Sequence, residues 1–209
     1  IQMLNIKNFS FIFVIVFLSF SLPLNAEKLN LIKDVNTFNQ DGTINVIIEI
    51  PAGSIEKWEV EKNGFQIKKE IETGKFRKID YLAYPFNYGF IPQTILPLNK
   101  GGDGDQLDVV VIGPSVTRGS IIKVKPIGAI ILLDKKKIET KIISLSINDT
   151  DLSKMKSIAD IKNNYIGLFE IILLWLQNYK GEVSKLKGFL TKKKSISYIN
   201  ELHQEFKVK

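Results

Sequence analysis

Three aspartates, Asp103, Asp105 and Asp108, fall within six residues at the entry to the apolar run Leu107 to Val111, which only Asp108 interrupts. Like charges this close oppose folding unless something positive sits among them. In an extended chain Asp103 and Asp105 point to one side, roughly 7 Å apart. Gly101 and Gly102 before them allow a bend that brings Asp108 into the same cavity. Such a set can hold one or two Mg²⁺ through single carboxylate oxygens, with water in the remaining positions. A calcium loop of the EF-hand kind does not fit: its twelfth position would be Pro114, where a bidentate Glu is required. A solvated Asp-Gly turn at 103–104 accounts for this stretch alone equally well.

The rest of the composition narrows the chemistry. Cysteine is absent, and His203 is the only histidine. Disulfides, thiolate zinc sites, cysteine nucleophiles, histidine pairs and serine triads are thereby excluded. Asp, Glu, Lys, Arg and Tyr must carry any reaction, and any metal must be a hard, oxygen-preferring ion. The formal charge of +7 suits nucleic acid, an anionic surface or a small anionic substrate. Charge alone is more commonly a solvated surface. With 209 residues, 44% hydrophobic and 24% charged, the chain suits one globular domain with a proper core.

The elements that must position these residues read as follows. Residues 44–50 form a strand that stops at Pro51. Trp58-Glu59-Val60 and Phe65-Gln66-Ile67 flank Asn63-Gly64, a hairpin turn signal. Further short strands are expected at 107–112, 120–125, 127–133 and 138–145, punctuated by Gly, Pro and charged turns. Ile158, Ile161, Tyr165, Leu168, Ile172, Leu176 and Tyr179 recur at steps of three and four, which predicts one long amphipathic helix ending near Gly181. Ile196, Ile199, Leu202 and Phe206 predict a shorter one. The fold expected is mainly β with α: a small antiparallel β-barrel of the oligonucleotide-binding-like type with two C-terminal helices packed on it.

Residues 1–26 differ from the remainder. Lys7 precedes the apolar run Phe9 to Leu22, then Pro23-Leu24-Asn25-Ala26 and the charged Glu27-Lys28. The run is short of the ~20 residues a membrane-spanning helix needs. It matches the apolar region of a secretory signal cleaved after Ala26, with an uncleaved membrane anchor as the alternative. Residues 27–209 then form the folded domain, and the expected location is periplasmic or secreted.

In this order along the chain, further segments join the aspartates. They are Ile48-Glu49-Ile50-Pro51, Lys57-Trp58-Glu59, Tyr84-Pro85-Phe86-Asn87-Tyr88-Gly89, Pro126-Ile127-Gly128 followed by Asp134 and Lys141, and Tyr179-Lys180. With Asp103, Asp105 and Asp108 as its Asp-x-Asp-x-x-Asp motif, the sequence from about Ile44 to Lys180 resembles the family I inorganic pyrophosphatases. Each segment alone is weak, and each lysine or tyrosine alone would be a surface or core residue; six in one order are specific. Two positions depart from the family pattern. Gln106 stands where Pro or Glu is usual, and Glu139 replaces an Asp two residues before the lysine. The added methylene moves that carboxylate by over ~1 Å, which bears on metal preference or rate.

The resemblance implies Mg²⁺-dependent hydrolysis of diphosphate. Two ions bridging one water would lower its pKa and screen the substrate's charge. Asp103, Asp108 and Glu139 would hold those ions, with Asp108 between them, and Asp105 would be the general base. Asp134, Glu49 and Glu59 would hold or orient the ions that arrive with substrate. Lys57 and Tyr88 would face the attacked phosphate, Arg77, Tyr179 and Lys180 the leaving one, and Lys141 supplies a further substrate-binding cation. The expected partners are diphosphate and further copies of the chain. Nucleic acid is not expected, nor is the membrane once the signal is removed.

Overall fold

The computed structural model of the chain describes residues 28–181 and 183–208. The expected signal segment, 1–26, lies outside the described residues. Five strands join in a ring: β1 (Ile44–Ile50), β6 (Asn87–Ile91), β7 (Leu107–Ile112), β9 (Lys137–Ser146) and β8 (Ile121–Asp134), whose first residues pair back onto β1. All of these pairings are antiparallel except β7 with β9, which is parallel. An edge strand, β10 (Lys185–Thr191), adds to the second half of β8. A separate hairpin, β2 (Trp58–Val60) with β3 (Ile67–Lys69), stands against the ring, followed by the small ribbon β4 (Ile71–Glu72) and β5 (Lys75–Phe76). Three helices complete the order: α1 (Ile158–Asn164), α2 (Leu168–Asn178) and α3 (Lys192–Lys207).

The sequence periods account for most of this. Along β7 the side chains alternate between two cores. Leu107, Val109 and Val111 pack with Ile199 and Leu202 of α3, whereas Val110 and Ile112 join Tyr84, Phe86, Tyr88 and the α1–α2 face. Asp108 therefore points to the side of the tyrosines. In β1 the register with β6 shifts between Ile48 and Ile50, a bulge at Glu49. Across it Ile48 belongs to the α3 core and Ile50 to the tyrosine core, so the alternation breaks and the Glu49 side chain is re-aimed.

Three expectations differ in detail. The segments 120–125 and 127–133 join in the single strand β8, in which Pro126 pairs with Ser144 and the register with β9 shifts just after it, between Pro126 and Gly128. The long C-terminal helix is two helices, α1 and α2, broken at Gly167 with φ +81. That left-handed residue redirects the chain while the apolar stripe continues across the break. With α3 the C-terminal region thus has three helices, and β10, unforeseen, separates α2 from α3.

Candidate active site

The strand β7 begins at Leu107, so Asp103 and Asp105 occupy the turn before it. Gly104 takes φ +84, and the Asp105 N–H donates to Asp103 Oδ1 at 3.0 Å, an Asx-type turn. The segment is folded back on itself, and the two acids do not share a side as an extended chain would require. Asp103 lines a cavity of about 300 Å³ together with Asp108, Glu139 and Lys141. Asp105 lines a smaller one of about 80 Å³ with Glu49, Lys57 and Glu59. Asp108 borders both cavities.

Lysine ammonium groups stand between the acids. Lys141, on β9 and only 5% exposed, donates to Asp108 Oδ2 at 2.5 Å and lies 3.1 Å from Glu139 Oε2. Lys180, just beyond the end of α2, donates to Glu139 Oε1 at 2.8 Å and to Asp134 Oδ2 at 2.5 Å. One chain of charges therefore runs Asp108, Lys141, Glu139, Lys180, Asp134. On the other wall Lys57 pairs with Glu59 at 2.9 Å, and Lys62 donates to Asp105. Lys57 and Lys141 lie 5.5 and 5.8 Å from the centroid of the buried Tyr88 ring. The cationic groups thus gain the face of an aromatic ring besides their carboxylates.

Burial and charge set the proton affinities. Burial pushes the Glu49 carboxyl up to about 8, against the pull of Lys57 and of the Val60 N–H that donates to it at 2.7 Å; the nearby Asp108 and Glu59 push the same way as burial. Glu139 is also raised by burial, but Lys141 and Lys180 outweigh that and hold it down at about 2. Lys141 loses affinity for its proton through burial and regains more from Asp108 and the surrounding tyrosines and Glu139, so it stays charged. Burial, reinforced by Asp108, keeps the Tyr88 phenol protonated and available as a donor.

The remaining predicted residues lie around this centre. Tyr179 stacks on Trp175 with centroids 4.4 Å apart and planes 8° from parallel, and Tyr84 lies 6.2 Å from it. Arg77 binds both oxygens of Glu70, at 2.9 and 3.1 Å, and lies 3.4 Å from Glu72. It borders neither cavity, although its charge is felt at the Tyr84 phenol and that of Tyr179 at Arg77. Lys62, Lys100, Lys137, Tyr198 and Glu201 also line the cavities and were not foreseen. Nothing in their local sequence separates them from the many other polar residues of the chain.

Among the described residues no three acids already converge on one point as a cation would require. The donor set nonetheless fits a hard divalent ion. Glu49, Glu59, Asp103, Asp105, Asp108, Asp134 and Glu139 offer only carboxylate oxygens, and the proton that burial, Asp108 and Glu59 hold on Glu49 is one that a cation could displace. His203 is spent elsewhere, its ring nitrogen 2.9 Å from the Thr37 hydroxyl and 2.8 Å from the Gln93 carbonyl oxygen.

Known proteins resemble this chain in sequence and in fold. A family model described as inorganic pyrophosphatase matches residues 46–207. The inorganic pyrophosphatase of Drosophila melanogaster is 36% identical over 157 residues, 68% of this chain and 46% of that protein. That of Nanoarchaeum equitans is 33% identical over 167 residues, 77% of this chain and 95% of that protein. The chain spans about half the length of several curated relatives it matches, 57% of the Arabidopsis thaliana one for example. Among solved structures, the type I inorganic pyrophosphatase from P falciparum aligns with TM-score 0.78 at 27% identity, covering 85% of this chain and 63% of that one. The enzyme from Thermus thermophilus aligns with TM-score 0.72 at 24% identity, covering 86% and 99%, a likeness of fold. The match to the family model takes in most of the chain, including every candidate site residue: the chain belongs to the inorganic pyrophosphatase family.

Proposed function

We propose that this chain hydrolyses inorganic diphosphate to two phosphates in a Mg²⁺-dependent reaction. The observation that carries the reading is Asp108, set between two acid-lined cavities and bound to a lysine buried against Tyr88. Phosphoryl transfer asks little covalent chemistry of the protein; positioning and electrostatic stabilisation do most of it. Lys57 and the protonated Tyr88 hydroxyl bind the attacked phosphate. Arg77, Tyr179 and Lys180 bind the leaving one, with Lys141 a further cation beside Tyr88. Asp105, in its turn at the cavity mouth, takes the proton of the attacking water. Asp103, Asp108 and Glu139 would hold Mg²⁺, with Asp134, Glu49 and Glu59 for ions that enter with substrate. When bound, Mg²⁺ supplies positive charge against the substrate's anionic oxygens. The purified protein should release orthophosphate from diphosphate with Mg²⁺ and lose that activity in EDTA. Full release in metal-free buffer, or none with Mg²⁺, refutes the reading.

The proposal extends to location and assembly. The apolar run Phe9 to Leu22, followed by Ala26 and the charged Glu27-Lys28, supports an exported protein whose mature form starts near Glu27. N-terminal sequencing of the protein from cell fractions decides it; cytosolic activity with residues 3–26 attached refutes export. Self-association is expected as well, and a monomer in sedimentation equilibrium at micromolar concentration would overturn it.

A further inference from the structure

The hairpin β2–β3 carries Lys57 at its foot and Glu59 within it, yet its strands pair only with each other. Its place against the ring is set by Val60 and Ile67 packing with Ile47 and Phe90, by the main-chain bond from the Leu31 N–H to the Gly64 carbonyl oxygen at 2.8 Å, and by polar ties to β1. One tie is the Glu49 carboxylate, which accepts from the Val60 N–H at 2.7 Å. A second is made at Trp58. Arg118, in the loop that leads into β8, lays its guanidinium over the Trp58 ring, 3.7 Å from the centroid. Its Nε donates to the main-chain carbonyl oxygen of Glu49 at 2.9 Å. Glu49 is the bulged residue of β1, and Trp58 is the central residue of Lys57-Trp58-Glu59.

One planar side chain thus touches both walls of the small cavity, the β1 bulge that aims Glu49 and the strand that presents Lys57 and Glu59. Arg118 itself does not line that cavity. Among the described residues no carboxylate lies within ion-pair distance of it; it makes the stack and this hydrogen bond to a backbone oxygen, and the charge of the Glu56 carboxylate is felt at its guanidinium. Lys69 lies on Trp58 as well, 5.5 Å from the ring centroid, and the Trp58 Nε1–H donates to Glu56 at 3.2 Å. The indole is held by cations and a carboxylate, which suits a fixed plate rather than a mobile surface residue.

We propose that Arg118 is a positioning residue that latches the β2–β3 hairpin to the Glu49 bulge and so keeps Glu49, Lys57 and Glu59 in register across the small cavity. The catalytic part of this rests on the diphosphatase reading; the latch itself does not. A planar guanidinium can stack and donate at once, whereas a lysine at 118 keeps the charge but loses the stack. A displacement of about 1 Å in a positioned group can cost up to about a hundredfold in rate.

The test has two readouts on the full chain. In Arg118→Ala, amide hydrogen exchange over residues 58–69 should accelerate about tenfold while exchange in β7 and β9 stays unchanged. With diphosphate, kcat should fall about tenfold with little change in thermal midpoint, and Arg118→Lys should recover less than half of that loss. Unchanged hairpin exchange in Arg118→Ala overturns the latch. Accelerated exchange with unaltered kcat overturns the positioning role. Accelerated exchange in a protein whose wild type does not hydrolyse diphosphate supports the latch and refutes the activity instead.

Discussion

Replacing Lys141 by Met tests whether the ammonium groups of the site stand where cations are needed. Met has nearly the same length and no charge, so packing is largely kept. Lys141→Met leaves Asp108 without its 2.5 Å partner and Glu139 with Lys180 alone. Removing one member of a buried pair costs about 3–5 kcal/mol. The Asp108 and Glu139 side chains are 32% and 25% exposed, so water recovers part of that, and about 2–3 kcal/mol is expected. A divalent ion at the same carboxylates restores the missing charge. The wild type gains from the ion too, so the mutant recovers only by binding it more tightly, about thirtyfold for about 2 kcal/mol, which the removal of a competing ammonium from the same carboxylates favours. Urea denaturation in EDTA should therefore show Lys141→Met less stable by about 2–3 kcal/mol, and in saturating Mg²⁺ by less than about 1 kcal/mol. The denaturant slope should be unchanged. An equal loss in both buffers would falsify the account, since a divalent ion would then not replace the charge that the ammonium supplies.

Two further perturbations address other parts of the site. Asp105→Asn keeps shape in an exposed turn and removes the base, so steady-state turnover should fall about a hundredfold or more, with Mg²⁺ affinity altered less than in Asp108→Asn; near-normal turnover rules out the base assignment. Glu139 is held at about 2 in the fold against 4.5 unfolded, so its stabilisation is present above pH 4.5 and is lost as pH falls toward about 2, about 3 kcal/mol in all. Acid titrations of stability should be flatter across that window for Glu139→Gln than for the wild type, and parallel curves would show that the residue is not held by the two lysines.

How much of this could be read from residues depended on whether the information was local. β1 and β7 appear at the expected bounds because alternating or continuous apolar runs ended by Pro51 or by the glycine-rich turn need no tertiary context. β6 was hidden because Asn87-Tyr88-Gly89-Phe90-Ile91 is buried at every position and so shows no alternation. β10 was missed for the opposite reason: three of its seven residues are Lys185, Lys187 and Gly188, and only pairing with β8 makes it a strand. The aspartate motif was legible as chemistry but not as geometry. Residue spacing cannot tell an extended Asp103–Asp105 from an Asx turn, and the turn sends the two acids to different cavities. The pairing of Lys180 with Asp134 and Glu139 likewise joins residues 46 and 41 positions apart. Only the resemblance, which gathers such positions from folded relatives, anticipated that they meet.

The shared position of Asp108 has a thermodynamic consequence. A cation that engages it from the small cavity weakens its hold on Lys141, and that ammonium is then free to turn toward Glu139 on the other side. Occupancy of one cavity must therefore alter affinity in the other, and by the same factor in reverse. Titration with Mg²⁺ will not follow two independent isotherms. The ions should bind with a coupling free energy whose sign depends on whether Lys141 moves away or stays, and Lys141→Met, which deletes the moving charge, should change that coupling more than it changes either affinity taken alone.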